Sequence, residues 1–350
     1  MRNEFINNLY QSDLTKTASN IKNVNYYLNK SVLVTGATGL VGSYTVETLV
    51  KLNDLFNLNI NIFAVGRNMK RLRHRFENLK ESQVNFIEFD INSKVLELPD
   101  INIDVIIHAA SAANPKMFEK DPVGTLLTNV ESTSKLLFWA HQRNVEKFIF
   151  ISSGEVYGQL QSKYVPFEES TLGFIDTMNS RSSYPVAKRT AETLCVSFMK
   201  QYGLETMIVR PSHLFGPNFT KEDNRVSAQF FRDVIRHENI LIKSSGGQLR
   251  SYCYISDAVS GLLTVVSSGN TGEAYNITNT ENAISMLDFA KKIASEAGQI
   301  VESEGRRQNV GNETPITLAV LSDNKLKSLG WKPLYDIDKG INHTYLIMNS

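Results

Sequence analysis

Residues 31–42 read SVLVTGATGLVG, Ser31 to Gly42. The β-branched opening predicts a buried strand over 31–35, and the apolar periodicity that follows predicts a helix over 40–53. Gly36, Gly39 and Gly42 occupy the turn and the first residues of that helix. Glycine lets the backbone bend sharply there and approach a pyrophosphate, whose charge the free amides and positive end of the helix stabilise. The spacing is G-x-x-G-x-x-G, one residue longer at its start than G-x-G-x-x-G. Three glycines alone mark many ordinary turns, but a strand before and a helix after favour a dinucleotide site.

Outward from this turn, short β-branched runs alternate with helical ones. Strands are predicted over 60–65, 84–89, 103–108, 147–152 and 205–210, and helices over 121–142 and 183–202. That rhythm predicts an α/β fold, a Rossmann-like doubly wound parallel sheet covered on both faces, with ligands beyond the carboxyl ends of the strands. Past residue 211 the rhythm breaks. A helix over 226–237, short strands near 240 and 252, a helix over 257–267, a strand over 273–277 and helices over 285–297 and 336–348 predict a smaller C-terminal substrate-binding cap. The chain divides into an N-terminal extension (1–30), a dinucleotide-binding domain (31–211) and a cap (212–350) interleaved with it. In the extension, Phe5, Ile6, Leu9, Leu14, Ile21 and Val24 allow either one docked amphipathic helix or a partly disordered arm.

The chain has 350 residues, 42% of them hydrophobic and 21% charged, enough for one large domain or two intimate ones. Its 37 Lys and Arg balance 36 Asp and Glu to a net charge of +1. Such a balance offers no long-range attraction to nucleic acid or an anionic membrane, so local groups must hold any anionic ligand. Cys195 and Cys253 are too few for a disulfide framework and suit a reducing compartment, where both are expected as buried thiols. No apolar run approaches the roughly 20 residues of a membrane span, and the N-terminus lacks a secretory core, so a cytoplasmic location is expected. The histidines at 74, 108, 141, 213, 237 and 343 show no metal-ligand spacing, and no metal is expected.

Chemistry gathers at the strand ends. The second strand runs into Gly66 and Arg67 with no carboxylate. An acidic residue there would hold the ribose of NAD, whereas an arginine accommodates the 2′-phosphate of NADP, so the cofactor is NAD or NADP with a lean to NADP. Lys70, Arg71, Arg73 and Arg75 read as a solvated helix face. Asp90, closing NFIEFD, is either an acceptor for the adenine amine or a strand-end turn aspartate. YPVAK, Tyr184 to Lys188, puts a phenol and an ammonium four residues apart on one helix face, where the cation lowers the phenol's pKa and makes it a usable base. SSGEVYG, 152–158, follows the apolar run FIFI and brings Ser153 and Glu155 to a third strand end.

TGATGLVG, HAAS (His108 to Ser111), Asn129, SSGEVYG and YPVAK together resemble the extended short-chain dehydrogenase/reductases of the NAD-dependent epimerase/dehydratase group, which modify nucleotide sugars. The likeness continues through RPSHLFGP (210–217), GGQLRSYCYISDAVSG (246–261) and LKSLGWKP (326–333), so it covers about residues 31–349. SRSSYPVAKRTAETL and QLRSYCYISD most resemble UDP-glucuronate decarboxylases, with 4,6-dehydratases and 4-epimerases as near relatives. The resemblance implies that Tyr184 takes a proton from a sugar hydroxyl, usually at C4, as hydride moves to the nicotinamide. It implies that Lys188 holds the ribose, that Ser153 hydrogen-bonds the reacting oxygen and that Glu155 handles a later proton. Thr38, Leu40, Val41, Ile91, Ala109, Ala110 and Ser111 would line the cofactor beside the glycines. Arg250 would pair with the substrate diphosphate, and Asn129, Arg181, His213 and Arg225 would complete the substrate site. Asn129 also reads as a helix-interior residue satisfying a carbonyl, Arg181 as a loop residue facing solvent and His213 as a structural histidine. A homodimer through the helices over 121–142 and 183–202 is implied as well.

Two positions depart from the pattern. Dehydratases of this group carry Asp-Glu where this chain has Gly154-Glu155, so the acid for a 4,6-elimination is missing. The cap's usual Asn corresponds to His213. The leading expectation is remodelling of a nucleotide-activated sugar through a transient 4-ketone without net redox. An NADPH-dependent keto-sugar reductase and a non-catalytic dinucleotide sensor are the alternatives.

Overall fold

A computed structural model of the chain describes residues 2–93, 98–111, 113, 115–162, 165–303 and 316–349. Helix α1 (Arg2–Asn20) precedes β1 (Ser31–Thr35), whose glycine turn enters α2 (Leu40–Phe56). There follow β2 (Asn61–Gly66), α3 (Met69–Arg75), β3 (Asn85–Glu88), β4 (Val105–His108), α4 (Pro115–Lys120), α5 (Pro122–Gln142), β5 (Lys147–Ile151), α6 (Ser183–Tyr202) and β6 (Glu205–Pro211). The second half holds β7 (His213–Phe215), α7 (Val226–Ile235), β8 (Ile240–Ile242), β9 (Leu249–Tyr254), α8 (Ile255–Ser268) and β10 (Ala274–Ile277). It closes with β11 (Ala283–Ser285), α9 (Met286–Glu296), β12 (Val301–Ser303), β13 (Leu318–Ala319), α10 (Asn324–Ser328) and α11 (Ile337–Met348).

The main sheet has seven strands in the order β10-β6-β5-β4-β1-β2-β3, all parallel. Its strands are nearly continuous apolar runs because both faces are covered. Val32, Val34, Ile62, Val105 and Ile149 point to one face, into the core built with α1, α2 and α8. Leu33, Phe63, Ile106, Phe148 and Phe150 point to the other, against Leu136, Leu137, Ala191, Cys195 and Phe198 of α5 and α6. The chain runs outward through β2 and β3 and then crosses back to β4, so the order reverses between β1 and β4. Ligands in open α/β sheets bind at such a switch point, beyond the strand ends.

The second half is not a separate layer. β10 returns to the main sheet beside β6, while β9 forms the axis of a small sheet with β7, β11 and β13. Tyr252 stacks on Phe289 at 3.9 Å, and buried Trp331 donates to Ser260 Oγ at 2.8 Å. Asp257 accepts from the Leu334 and Tyr335 amides at 2.7 and 3.0 Å, fastening the run into α11. Both cysteines are buried and free. Among the described residues no helix is long and apolar enough to cross a membrane.

The N-terminal extension adopts the docked form. Leu14, Ala18 and Ile21 enter the first core. Fully buried Asp13 accepts from Tyr254 and Tyr335 hydroxyls at 2.8 and 2.6 Å and contacts His343 Nδ1 at 2.9 Å. Thr17 Oγ1 lies 2.7 Å from Ser256 Oγ, and Tyr10 donates to Glu47 at 2.5 Å. The extension thus ties α2 to the cap.

Candidate active site

The turn after β1 explains its glycines. Gly36 has φ +64°, and a Cβ there would meet the Ala110 amide nitrogen at 2.7 Å. At Gly42 a Cβ would fall 2.2 Å from the Gly36 carbonyl oxygen. Gly39 is different, because its Cβ would meet nothing within 4 Å but the Gly36 carbonyl, at 3.4 Å. Space is open above it, and α2 begins there with no side-chain cap, leaving first-turn amides for another acceptor. This cradle fits a dinucleotide pyrophosphate. Thr38 and Val41 are half-buried beside it and Leu40 is buried, while Ala109, Ala110 and Ser111 at the end of β4 line its other side, half-buried.

Beneath the cradle, Thr35 Oγ1 accepts from the Ala110 amide at 3.2 Å and lies 2.8 Å from His108 Nδ1. His108 Nε2 lies 3.2 Å from Thr133 Oγ1, which donates to the Asn129 carbonyl. Burial first, and the charge of Lys188 second, push His108 down to about 3, so it is a neutral strut. Asn129 is buried. Its amide donates to the Thr125 carbonyl at 2.8 Å and its oxygen accepts from Ser111 at 2.7 Å, so it orients Ser111 from within α5.

The reacting groups lie at the end of β5 and the start of α6. Ser153 caps the 3-10 turn Gly154–Tyr157, accepting from the Glu155 amide at 3.1 Å, which leaves its own proton to donate. Tyr184 is buried in the first turn of α6, with Pro185 where no backbone donor is lost. Its phenol is pushed up to about 12, chiefly by burial and next by the charge of Glu155. The Ser153 hydroxyl, the charge of Arg225 and the Ser111 hydroxyl oppose that rise. Lys188 Nζ donates to the Ile151 carbonyl at 2.8 Å and stands 4.7 Å from the Phe150 ring, against 5.8 Å from the Tyr184 ring. Burial in turn pushes the ammonium down to about 7, against the charge of Glu192.

The arginines separate by partner. Arg181 reaches Glu155 with both Nη atoms, at 3.2 and 3.3 Å. Arg225 is clasped by Asp223 through Nε and Nη2 and stands over the Phe219 ring. Arg250 donates to His213 Nε2 at 2.7 Å. A guanidinium can only donate, so that imidazole nitrogen accepts and His213 is neutral. Burial and the charges of Arg250 and Arg225 drive its pKa well below the usual histidine range. Arg67 is exposed at the end of β2. Asp90 is exposed beyond β3 and accepts from the Asn92 amide at 3.0 Å, the geometry of the turn aspartate, while Ile91 beside it is buried.

Two features escaped the sequence. Phe118 of α4 stacks on Tyr184 with ring centres 4.4 Å apart, and nothing in the local pattern around 115–120 announces it. Buried Glu192 accepts from Ser152 at 2.6 Å and from Arg210 at 2.8 and 3.0 Å, bracing the end of β5. Its place one helical turn after Lys188 was the available signal.

Known proteins share the fold. A profile of the NAD dependent epimerase/dehydratase family matches residues 32–278. UDP-glucuronic acid decarboxylase 1 of Xenopus tropicalis is 30% identical over 346 residues, which is 97% of this chain and 77% of that one. The fold of UDP-glucuronic acid 4-epimerase from Bacillus cereus, crystallised with UDP-glucuronic acid and NAD, matches at TM-score 0.74 and 23% identity over 90% of this chain and 98% of that one. DesIV, a dTDP-glucose 4,6-dehydratase from Streptomyces venezuelae solved with NAD, matches at TM-score 0.76 and 20% identity over 90% and 95%. Since the family profile runs from β1 through β10, taking in the whole seven-stranded sheet, this chain belongs to the NAD-dependent epimerase/dehydratase family.

Proposed function

We propose that this chain oxidises C4 of a nucleotide-activated sugar and completes a decarboxylation or epimerisation from the resulting ketone, with no net redox change. The observation that carries the reading is the convergence of Ser153, Tyr184 and Lys188 beside the open glycine cradle. A nicotinamide dinucleotide, when bound, supplies a reversible hydride acceptor. The residues suited to hold it are the turn from Gly36 to Gly42, with Ala109, Ala110 and Ser111, and the Tyr184 and Lys188 side chains.

Ser153 donates its free proton to the C4 oxygen and orients it. Tyr184, ionised, takes the hydroxyl proton as C4 gives up its hydride, and a 4-ketone results. The ketone acidifies the neighbouring C–H and stabilises the electron pair left when a C5 carboxylate departs as carbon dioxide. Glu155, in the turn that Ser153 caps, would handle a proton at that stage. Elimination of a 6-hydroxyl fits less well, because Gly154 offers no acid beside Glu155. Arg250 and Arg225 would meet the diphosphate, a task suited to guanidinium forks. Similarity to decarboxylases acting on UDP-glucuronic acid favours an acidic sugar.

Within the cofactor class, Arg67 is the residue that favours NADP, whereas the Bacillus and Streptomyces neighbours carry NAD. We also propose a homodimer through α5 and α6. The test of the functional reading is mass spectrometry of the dinucleotide that co-purifies, followed by turnover of UDP-glucuronate and UDP-glucose. Tyr184→Phe should cut turnover by about a thousandfold, the scale of general base catalysis, with the dinucleotide still bound. Undiminished turnover in that variant, or a wild-type chain that holds no dinucleotide, would sink it.

A further inference from the structure

Glu155 brings a carboxylate into a cleft that must accept a phenolate and an anionic substrate. The charged and titratable groups around it come from several elements. Arg181 approaches from the 3-10 turn Ser180–Ser182 before α6, Tyr184 from α6 itself and Arg250 from β9, with Arg225 before α7 and His213 on β7 behind them. Among the described residues, Arg181 is the one of these groups bonded to the Glu155 side chain, its two Nη atoms each meeting one carboxylate oxygen. Arg225 pairs with Asp223, and Arg250 bonds His213 and the Ile316 carbonyl.

The Arg181 guanidinium also lies over the Phe118 ring, 4.7 Å from its centre, and Phe118 in turn stacks on Tyr184 with ring planes 12° apart. Carboxylate, guanidinium, phenyl and phenol therefore form one chain of contacts. Its two ends are the groups that the functional reading asks to move protons. The pair is partly shielded, with the Arg181 and Glu155 side chains 21% and 27% exposed.

We propose that Arg181 is a positioning residue that acts through Glu155, fixing its carboxylate and cancelling its charge so that an anionic sugar and the Tyr184 phenolate are tolerated beside it. This rests on the functional reading above and replaces direct substrate binding as the role of Arg181. The charge of Glu155 already opposes ionisation of Tyr184. Stripped of its partner, that carboxylate would oppose it further and would repel the substrate's anionic groups.

A second-site rescue separates the two roles. With UDP-glucuronate and UDP-glucose as probes, calorimetry on the purified full chain should show Arg181→Met weakening binding by about fivefold, the scale of a partly exposed ion pair. Adding Glu155→Gln to that variant should restore affinity to within about twofold of wild type, because no unbalanced carboxylate remains. Arg181→Lys, which keeps the charge but not the fork, should bind nearly as wild type. In single-turnover reduction of the bound dinucleotide, the Tyr184-dependent rise of rate with pH should move to higher pH in Arg181→Met and return in the double variant. If the double variant binds as weakly as Arg181→Met, Arg181 contacts the sugar itself and the proposal falls. It falls equally if Arg181→Met binds as wild type. Failure of the wild-type chain to bind either probe overturns the functional reading together with this one, whereas binding without rescue overturns this one alone.

Discussion

At the scale of single residues, the three glycines of the opening turn do different work, and alanine distinguishes them. A methyl group at Gly39 finds only ordinary contact, 3.4 Å from a carbonyl, but fills the space where a pyrophosphate would sit. Gly39→Ala should melt within a degree or two of wild type and purify without dinucleotide. A methyl group at Gly42 lands 2.2 Å from the Gly36 carbonyl, so the backbone must move. Gly42→Ala should lose about 1–3 kcal/mol of stability, the scale of forced overpacking, as well as the cofactor. Denaturant titration and absorbance of the purified chains check both, and a Gly39→Ala chain that keeps its dinucleotide would remove the cradle from the site. The same scale shows what was legible. Gly36, Tyr184 and Lys188 are legible because backbone geometry or helix spacing calls for those residue types, whereas Ser153 is read through the family resemblance. Arg181 reads as a substrate contact or a solvent-facing loop residue, and its pairing with Glu155, 26 positions away, is made only by the folded chain. Asn129 and Asp90 had two readings each, and the chain satisfies both through their own neighbours.

At the scale of elements, legibility followed length and the kind of force that docks each piece. The long buried strands and the helices α2, α5 and α6 carry a clear apolar period, and α6 occupies the residues that spacing predicts, 183–202. A short strand near 240 is legible and is β8, but the cap strands β7, β11, β12 and β13 run three residues or fewer, too short for a period to register, and exist because β9 or a neighbour supplies their hydrogen bonds. Helix α4 is six residues long and was missed for the same reason. Helix α1 is instructive in another way. Its apolar stripe is sparse, and much of its docking runs through Asp13, Thr17 and Asn20, polar residues that ordinarily signal exposure. A buried carboxylate with three partners leaves all three stranded when it is removed. Asp13→Ala should therefore cost about 3 kcal/mol, measured by urea denaturation, with Asp13→Asn intermediate. A wild-type midpoint in the alanine variant would show that α1 is an appendage rather than a brace between α2 and α11.

At the scale of the whole molecule, the two faces of the main sheet are finished differently. α2 and α8 are covered in turn by α1 and the cap, so that side ends in polar and buried surface. α5 and α6 pack on each other over the opposite face, and several large apolar side chains stay exposed on their outer sides: Val123 is 67% exposed, Leu127 45%, Phe138 46% and Val196 39%. Phe138 meets Phe198 edge-on at 4.8 Å and adjoins Tyr202, giving an aromatic cluster near the C-terminal ends of both helices. Large apolar side chains exposed together often mark an interface, and a second copy offers the same residues on the same helical ridges. Helix pairs meeting across a two-fold axis would bury this surface while leaving the cleft at the strand ends open. Sedimentation equilibrium at micromolar concentration should give twice the chain mass for wild type. Leu127→Glu combined with Phe138→Glu places like charges opposite each other across such an axis, and should give a monomer with unchanged far-ultraviolet circular dichroism. Both substituted side chains face outward, so loss of the dimer need not disturb the sheet beneath. A wild-type chain that sediments as a monomer, or a doubly substituted one that remains a dimer, would exclude these helices as the interface.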